Sequence, residues 1–182
     1  MRKKISLLGL FVASLTIGVA ATSVLPLSAQ EAPPPIAVEI LSDRSVFTDD
    51  IDMKITYALY GNTPQTLDIK DPSRTVVARI TVQPGAEFPW HTHPGPIIVN
   101  VSEGKLIYVQ AKDCIKRPYK EGTAFVDPGR GNVHTAYNGY HGETVLIATF
   151  FEVPASGPLT ITEGIHAPAD CHVLSSDGGG AH

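Results

Sequence analysis

Short apolar runs separated by glycine- and proline-containing turns occupy most of the second half of the chain. The runs are rich in β-branched and aromatic residues, and no long amphipathic helical pattern interrupts them. Short strands at regular intervals are typical of an antiparallel barrel or a double-sheet jelly roll, so we predict an all-β, antiparallel jelly-roll β-barrel. The predicted strands are T-V-V-A-R-I-T-V (75–82), I-I-V-N-V (97–101), K-L-I-Y-V-Q (105–110), T-A-F-V-D (123–127), T-V-L-I-A-T-F-F-E-V (144–153) and L-T-I-T (159–162).

The segment before these strands has a mixed pattern, and I-D-M-K-I-T-Y-A-L-Y within it fits either a strand or a short helix. We assign residues 30–75 to an N-terminal arm with edge strands, which could pair across a homodimer. Residues 76–174 are assigned to the barrel with a C-terminal segment. The glycine-rich residues 175–182 are predicted to be a disordered tail.

The first 29 residues have the features of a secretory signal peptide. M-R-K-K supplies a basic start, a long uncharged apolar stretch follows, and small residues precede the polar Q-E-A-P-P-P. The alternative is an uncleaved membrane anchor, because the apolar stretch is nearly long enough to span a bilayer. We predict cleavage near Ala29, a secreted or periplasmic protein, and no stable membrane association afterwards.

Charge and length limit the classes of partner. The chain has 14 basic and 18 acidic residues, and removing residues 1–29 takes away three basic ones, which leaves 11 against 18 and a net charge of -7. This excess of acidic residues argues against nucleic acid or an anionic membrane as a partner. The remaining residues are enough for one compact domain and too few for two.

The chain contains two cysteines, Cys114 and Cys171. In an exported protein the default expectation is that they form a disulfide bond, which would fasten the C-terminal segment to the barrel. Thiolate ligation of a metal is the weaker alternative, because the two residues are far apart in sequence and neither belongs to a C-x-x-C pair.

Two closely spaced histidines are candidate metal ligands, and a third histidine follows later in the chain. His91 and His93 lie one residue apart, so in an extended chain their side chains point the same way and can share one ion. His134 follows in G-T-A-F-V-D-P-G-R-G-N-V-H-T-A-Y-N.

These residues fall within two motifs that resemble those of the cupin superfamily. The stretch from Gly85 to Gly104 is similar to the first motif, G-x5-H-x-H-x3-4-E-x6-G. The stretch from Gly122 to Asn138 is similar to the second, G-x5-P-x-G-x2-H-x3-N, with one extra residue between its proline and second glycine. The resemblance implies a cupin β-barrel whose metal ligands are His91, His93 and His134.

The glutamate of the first motif does not carry over to this chain. After three or four intervening residues past His93 stand Ile97 and Ile98, so the predicted site has three neutral imidazoles plus water or substrate. Glu87 and His141 are the candidate replacements for the missing carboxylate. No other acid or base stands out near the histidines, and the residues around them predict a largely apolar pocket. Its predicted walls are Ile97, Val99, Val101, Tyr108 and Phe125.

A three-histidine site leaves coordination positions open, as catalytic metal sites do. We expect a divalent metal, iron, zinc, manganese or copper. Three-histidine cupins include thiol dioxygenases, so the resemblance implies a small-molecule oxygenase as one function. The alternative is a non-catalytic cupin module that binds a small molecule or a metal.

Overall fold

A computed structural model describes residues 32–69, 74–171 and 173, and within these ranges every regular element is a β-strand. The predicted signal peptide (1–29) and the predicted tail (175–182) lie outside the described residues. None of the described segments forms a helix that is long and apolar enough to cross a membrane. The strands are β1 Ile36–Val46, β2 Met53–Tyr57, β3 Gln65–Ile69, β4 Arg74–Val82, β5 Ile97–Glu103, β6 Lys105–Gln110, β7 Arg117–Lys120, β8 Thr123–Asp127, β9 His134–Asn138 and β10 Thr144–Phe150.

The described strands form three antiparallel sheets. The largest has the order β1-β4-β10-β5-β8, the second has the order β7-β6-β9, and β2 and β3 form a hairpin of their own. The all-β antiparallel prediction is confirmed, although the hydrogen bonding does not run around one closed barrel. Isolated bridges, including one between His91 and His134, extend the pairing beyond the named strands.

Five of the six predicted strands are present, as β4, β5, β6, β8 and β10. The arm in which edge strands were predicted contains β1, β2 and β3, with β2 in its ambiguous segment, whereas β7 and β9 were not predicted. The prediction of a strand in L-T-I-T is wrong, since Ile161 makes only a single bridge to Thr92. The reason is that its partner is a short loop between Pro89 and Pro94, and prolines have no N–H to extend a ladder.

Strand alternation sends one face of each main strand into a shared interior. Residues two apart point to the same face, and the interior residues follow this spacing along each strand. The interior is apolar apart from a few side chains at one end. The paired positions are Ala78 and Ile80 on β4, Ile97 and Val99 on β5, Leu106 and Tyr108 on β6, Phe125 and Asp127 on β8, His134 and Ala136 on β9, and Leu146 and Ala148 on β10.

The predicted disulfide between Cys114 and Cys171 is confirmed, with the two Cα atoms 5.4 Å apart. Cys171 is buried against the apolar side chains of Ile107 and Val109 on β6, and Trp90 packs on the same small cluster. The bond therefore holds the end of the C-terminal segment against the second sheet.

Removing this bond is predicted to destabilise the protein. The bond closes a loop with a sequence separation of 57 residues, for which the chain-entropy model gives about 4 kcal/mol. We expect a Cys114→Ser/Cys171→Ser variant to lose about this much free energy of unfolding, measured by urea denaturation. The reduced wild-type protein is the matched comparison, and equal stability of oxidised and reduced protein would contradict the prediction.

Candidate metal centre

His91, His93 and His134 lie together at one end of the interior. The backbones of His91 and His134 pair directly, because each N–H donates to the other's carbonyl oxygen at 2.9 Å. All three side chains are buried, and one ring nitrogen from each lies within 4.8 Å of the others. Three buried ring nitrogens at this spacing could hold a metal ion.

Backbone carbonyl groups fix the orientation of all three imidazoles. Nδ1 of His91 lies 2.6 Å from the Pro89 oxygen, and Nδ1 of His93 lies 2.7 Å from the Leu159 oxygen. Nδ1 of His134 lies 3.1 Å from the Asn132 oxygen. A carbonyl oxygen can only accept, so each Nδ1 carries the proton, and this fixes the ring orientation of a metal-ligating histidine. The Nε2 atoms are therefore the ones free to face a shared ion.

The pKa values of the three histidines are shifted in different directions. Burial and the neighbouring rings of His134 and His93 lower the pKa of His91 to about 3. Burial also lowers the pKa of His93, although Asp127 opposes the shift. Burial acts in the same direction on His134, but the adjacent Asp127 carboxylate outweighs it and raises the pKa of that ring. Near neutral pH, His91 is thus ready to ligate without losing a proton.

Asp127 is the residue that the sequence analysis missed. Its Oδ2 lies 2.9 Å from Nε2 of His134 and 3.6 Å from Nε2 of His93, and only 2% of the residue is exposed. Burial alone would raise the pKa of this carboxyl, yet the interactions with His134 lower it to about 2. The expectation that no further acid stands near the histidines was therefore wrong.

The two carboxylate substitutes considered from the sequence lie elsewhere. Glu87 hydrogen-bonds the Thr135 hydroxyl at 3.5 Å, and its side chain is not among the described residues that line the interior cavity. His141 is exposed, with its ring next to Tyr140. Sequence offered one signal for Asp127: it directly precedes Pro128 of the second motif, at the inward end of a predicted strand.

The cavity beside the histidines is small and apolar. Its volume is about 150 Å³, comparable with an engineered apolar cavity that binds benzene. Ile97, Val99, Tyr108 and Phe125 line it as predicted, whereas Val101 is buried in the core next to them. The Tyr108 hydroxyl accepts hydrogen bonds from the side-chain amides of Gln110 and Asn132, both at 3.2 Å.

The turn after Asp127 holds the carboxylate and one histidine in a fixed relation. The Gly129 N–H donates to Asp127 Oδ1 at 2.9 Å, and the Arg130 N–H donates to the His93 carbonyl at 2.8 Å. Gly129 has a positive φ of 56°, and a Cβ atom there would clash with the Gly95 carbonyl. Glycine is therefore needed where the two motif loops meet.

Comparisons with known proteins identify the domain. Residues 78–150 match the family model of the cupin domain, a range that includes all three histidines and Asp127. No curated protein sequence matches the chain.

Solved structures similar to this chain include an oxalate oxidase (27% identity, TM-score 0.39, covering 42% of this chain and 41% of that one). KdgF from Halomonas sp. has 17% identity and a TM-score of 0.44, over 68% of this chain and 86% of its own. A Klebsiella pneumoniae protein with a double-stranded β-helix domain has 15% identity and a TM-score of 0.45, over 75% and 91% of the two chains. The match to the oxalate oxidase spans about two-fifths of that protein.

The family match agrees with the two motifs in the sequence and with the antiparallel sheets that carry them. The histidines of both motifs meet in space as the motif pattern implies. Residues 78–150 of this chain therefore form a cupin domain.

Proposed function

We propose that this cupin binds one divalent transition metal through Nε2 of His91, His93 and His134 and acts on a small organic molecule in the adjacent cavity. The observation that carries the proposal is the set of three Nδ1-to-carbonyl hydrogen bonds, which leaves Nε2 of each ring as its possible donor, together with the spacing of the rings, one nitrogen of each lying within 4.8 Å of the others. The three imidazoles suit such a metal, because neutral imidazole is a good ligand for zinc, copper, iron and nickel.

The chemistry proposed for the site is of the oxygenase type. A metal with three protein ligands can polarise or bind a small reactant at its open positions. The protein's contribution is an apolar environment for the reactants, because Ile97, Val99 and Phe125 line the space beside the histidines. The cavity volume favours substrates of about the size of a benzene ring.

Protein purified from its own source is predicted to contain about one metal per chain by elemental analysis. A His91→Ala/His93→Ala variant should lose it, because a single imidazole cannot hold the ion. His141→Ala is the matched control, since that ring is exposed on a loop, and it should keep its metal. Equal metal content in wild type and the double variant would overturn the proposed site.

The activity is tested by oxygen uptake with the metal-loaded protein and small thiols, diketones and phenolics. Uptake that is lost in the double variant supports the oxygenase. Metal-dependent binding of these compounds without any turnover would instead establish a non-catalytic binding module and overturn the catalytic part of the proposal.

Metal affinity should increase with pH, because binding of one metal ion releases one proton. His134 is the ring with the raised pKa, so below that pKa a proton on its Nε2 competes with the metal. His91, with a pKa of about 3, has no proton to lose near neutrality. At pH values below the raised pKa of His134 we expect about a tenfold gain in affinity per pH unit, measured by calorimetric titration. A flat profile, or a slope near three, would contradict this assignment of protons.

We further propose that the protein is exported to the periplasm or beyond. The basic and apolar pattern of residues 1–29 and the Cys114–Cys171 bond support this, because disulfides persist mainly in oxidising compartments.

The mass of the intact protein from its native source is predicted to correspond to a chain that starts near residue 30, with both cysteines oxidised. The protein from cytoplasmic expression provides the comparison. A native mass that includes Met1 to Ala29, or free thiols, would contradict export with cleavage.

A further inference from the structure

Asp127 and Ile97 are directly opposite each other on neighbouring strands. The register of β5 and β8 pairs Ile97 with Asp127, and both side chains line the cavity. Directly opposite residues of an antiparallel pair point to the same face, with their Cβ atoms about 5 Å apart. A carboxylate from β8 can thus reach the same region as a side chain at position 97 of β5.

The Asp127 carboxylate lies at the spacing expected for a metal ligand. Two atoms that each bind one ion at about 2.1 Å lie about 3.0 Å apart in octahedral and about 3.4 Å apart in tetrahedral geometry. Oδ2 of Asp127 lies 2.9 Å and 3.6 Å from the Nε2 atoms of His134 and His93. The oxygen therefore lies at ligand-to-ligand distances from two of the three nitrogen donors.

The other carboxylate oxygen of Asp127, Oδ1, is fixed by a backbone hydrogen bond. Oδ1 accepts the Gly129 N–H at 2.9 Å, which leaves Oδ2 directed at the histidines. The same turn binds the His93 carbonyl through the Arg130 N–H. It also contains the extra residue that separates this chain from the motif pattern. Carboxylate and histidine are thereby fixed relative to each other without a further side chain.

The buried carboxylate of Asp127 needs a positively charged partner. A buried carboxylate costs several kcal/mol unless it is paired, and Asp127 is the one acidic side chain among the described residues that line the cavity. No lysine or arginine lines the cavity within that part of the chain. Nε2 of His134 lies 2.9 Å from Oδ2, and a metal cation held between Asp127 and the histidines would take the place of the proton that this pair shares.

We infer that Asp127 supplies a carboxylate oxygen to the metal bound by His91, His93 and His134. It would take the role of the motif glutamate, whose position is occupied by Ile97. This inference rests on the proposed metal site. The donor set becomes three nitrogens and one hard oxygen, and carboxylate oxygen favours manganese more than it favours copper or zinc. Asp127 therefore sets which metal the site prefers as well as how tightly the site binds it.

The test is the affinity of Asp127→Asn for Mn²⁺ and for Zn²⁺, each titrated into metal-free protein. Asparagine keeps the size of the side chain and an oxygen for the Gly129 N–H, but it removes the charge. We expect Mn²⁺ affinity to fall by more than about 100-fold, the upper limit for loss of an outer hydrogen-bond partner. Zn²⁺ affinity should fall by about tenfold or less, because three imidazoles remain.

A second variant and a control make the test specific. Ile97→Glu combined with Asp127→Asn returns a carboxylate from the opposite strand and should restore Mn²⁺ binding, seen as loss of the free Mn²⁺ signal in electron paramagnetic resonance. Glu87→Gln removes a carboxylate outside the cavity and should leave both affinities unchanged. Thermal unfolding of the metal-free proteins verifies that each variant is folded.

The outcomes separate the two proposals. If wild-type protein binds neither metal, the proposed metal site fails. If wild type binds metal and Asp127→Asn binds Mn²⁺ and Zn²⁺ equally well, the histidine site stands and the role of Asp127 is wrong. Equal losses for both metals, without rescue by Ile97→Glu, would show that Asp127 only positions His134, and this too would overturn the inference.

Discussion

Burying three imidazole rings in an apolar interior is the constraint on which the rest of this site depends. Each ring has two nitrogens, and a buried polar atom without a partner costs free energy. The backbone carbonyls of Pro89, Leu159 and Asn132 satisfy one nitrogen of each ring. Of the remaining nitrogens, Nε2 of His134 lies 2.9 Å and Nε2 of His93 lies 3.6 Å from Oδ2 of Asp127. A cation shared by the three rings and this carboxylate would satisfy all of these groups at once.

The carbonyls that orient the rings come from three separate parts of the chain, and this explains the surrounding architecture. Pro89 and Asn132 belong to the loops that lead into the paired residues His91 and His134, so the bridge between those residues positions both carbonyls. Leu159 belongs to the C-terminal segment, which pairs with the first-motif loop through Thr92 and Ile161. The disulfide at Cys171 holds this segment farther along. Stability of the C-terminal segment and orientation of His93 are therefore physically linked.

The sequence was sufficient for the features that depend on local pattern. Alternating apolar runs predicted five of the strands, and the motif spacing identified His91, His93 and His134 before their positions in space were known. It failed for strands such as β7 and β9, which contain polar residues, because tertiary packing rather than propensity determines them. It also failed for the L-T-I-T segment, whose backbone crosses a loop instead of joining a sheet.

The failure to predict Asp127 has a different cause. A sequence motif specifies a ligand by its distance along the chain, and Asp127 is 34 residues beyond His93. The sheet register, which places Asp127 opposite Ile97, is set by the pairing of β5 with β8. A carboxylate ligand must lie at a particular point in space, and either strand can supply it. The absence of a glutamate at position 97 therefore does not mean that the site lacks a carboxylate. The neighbouring strand must be considered before a cupin without that glutamate is assigned a three-histidine site.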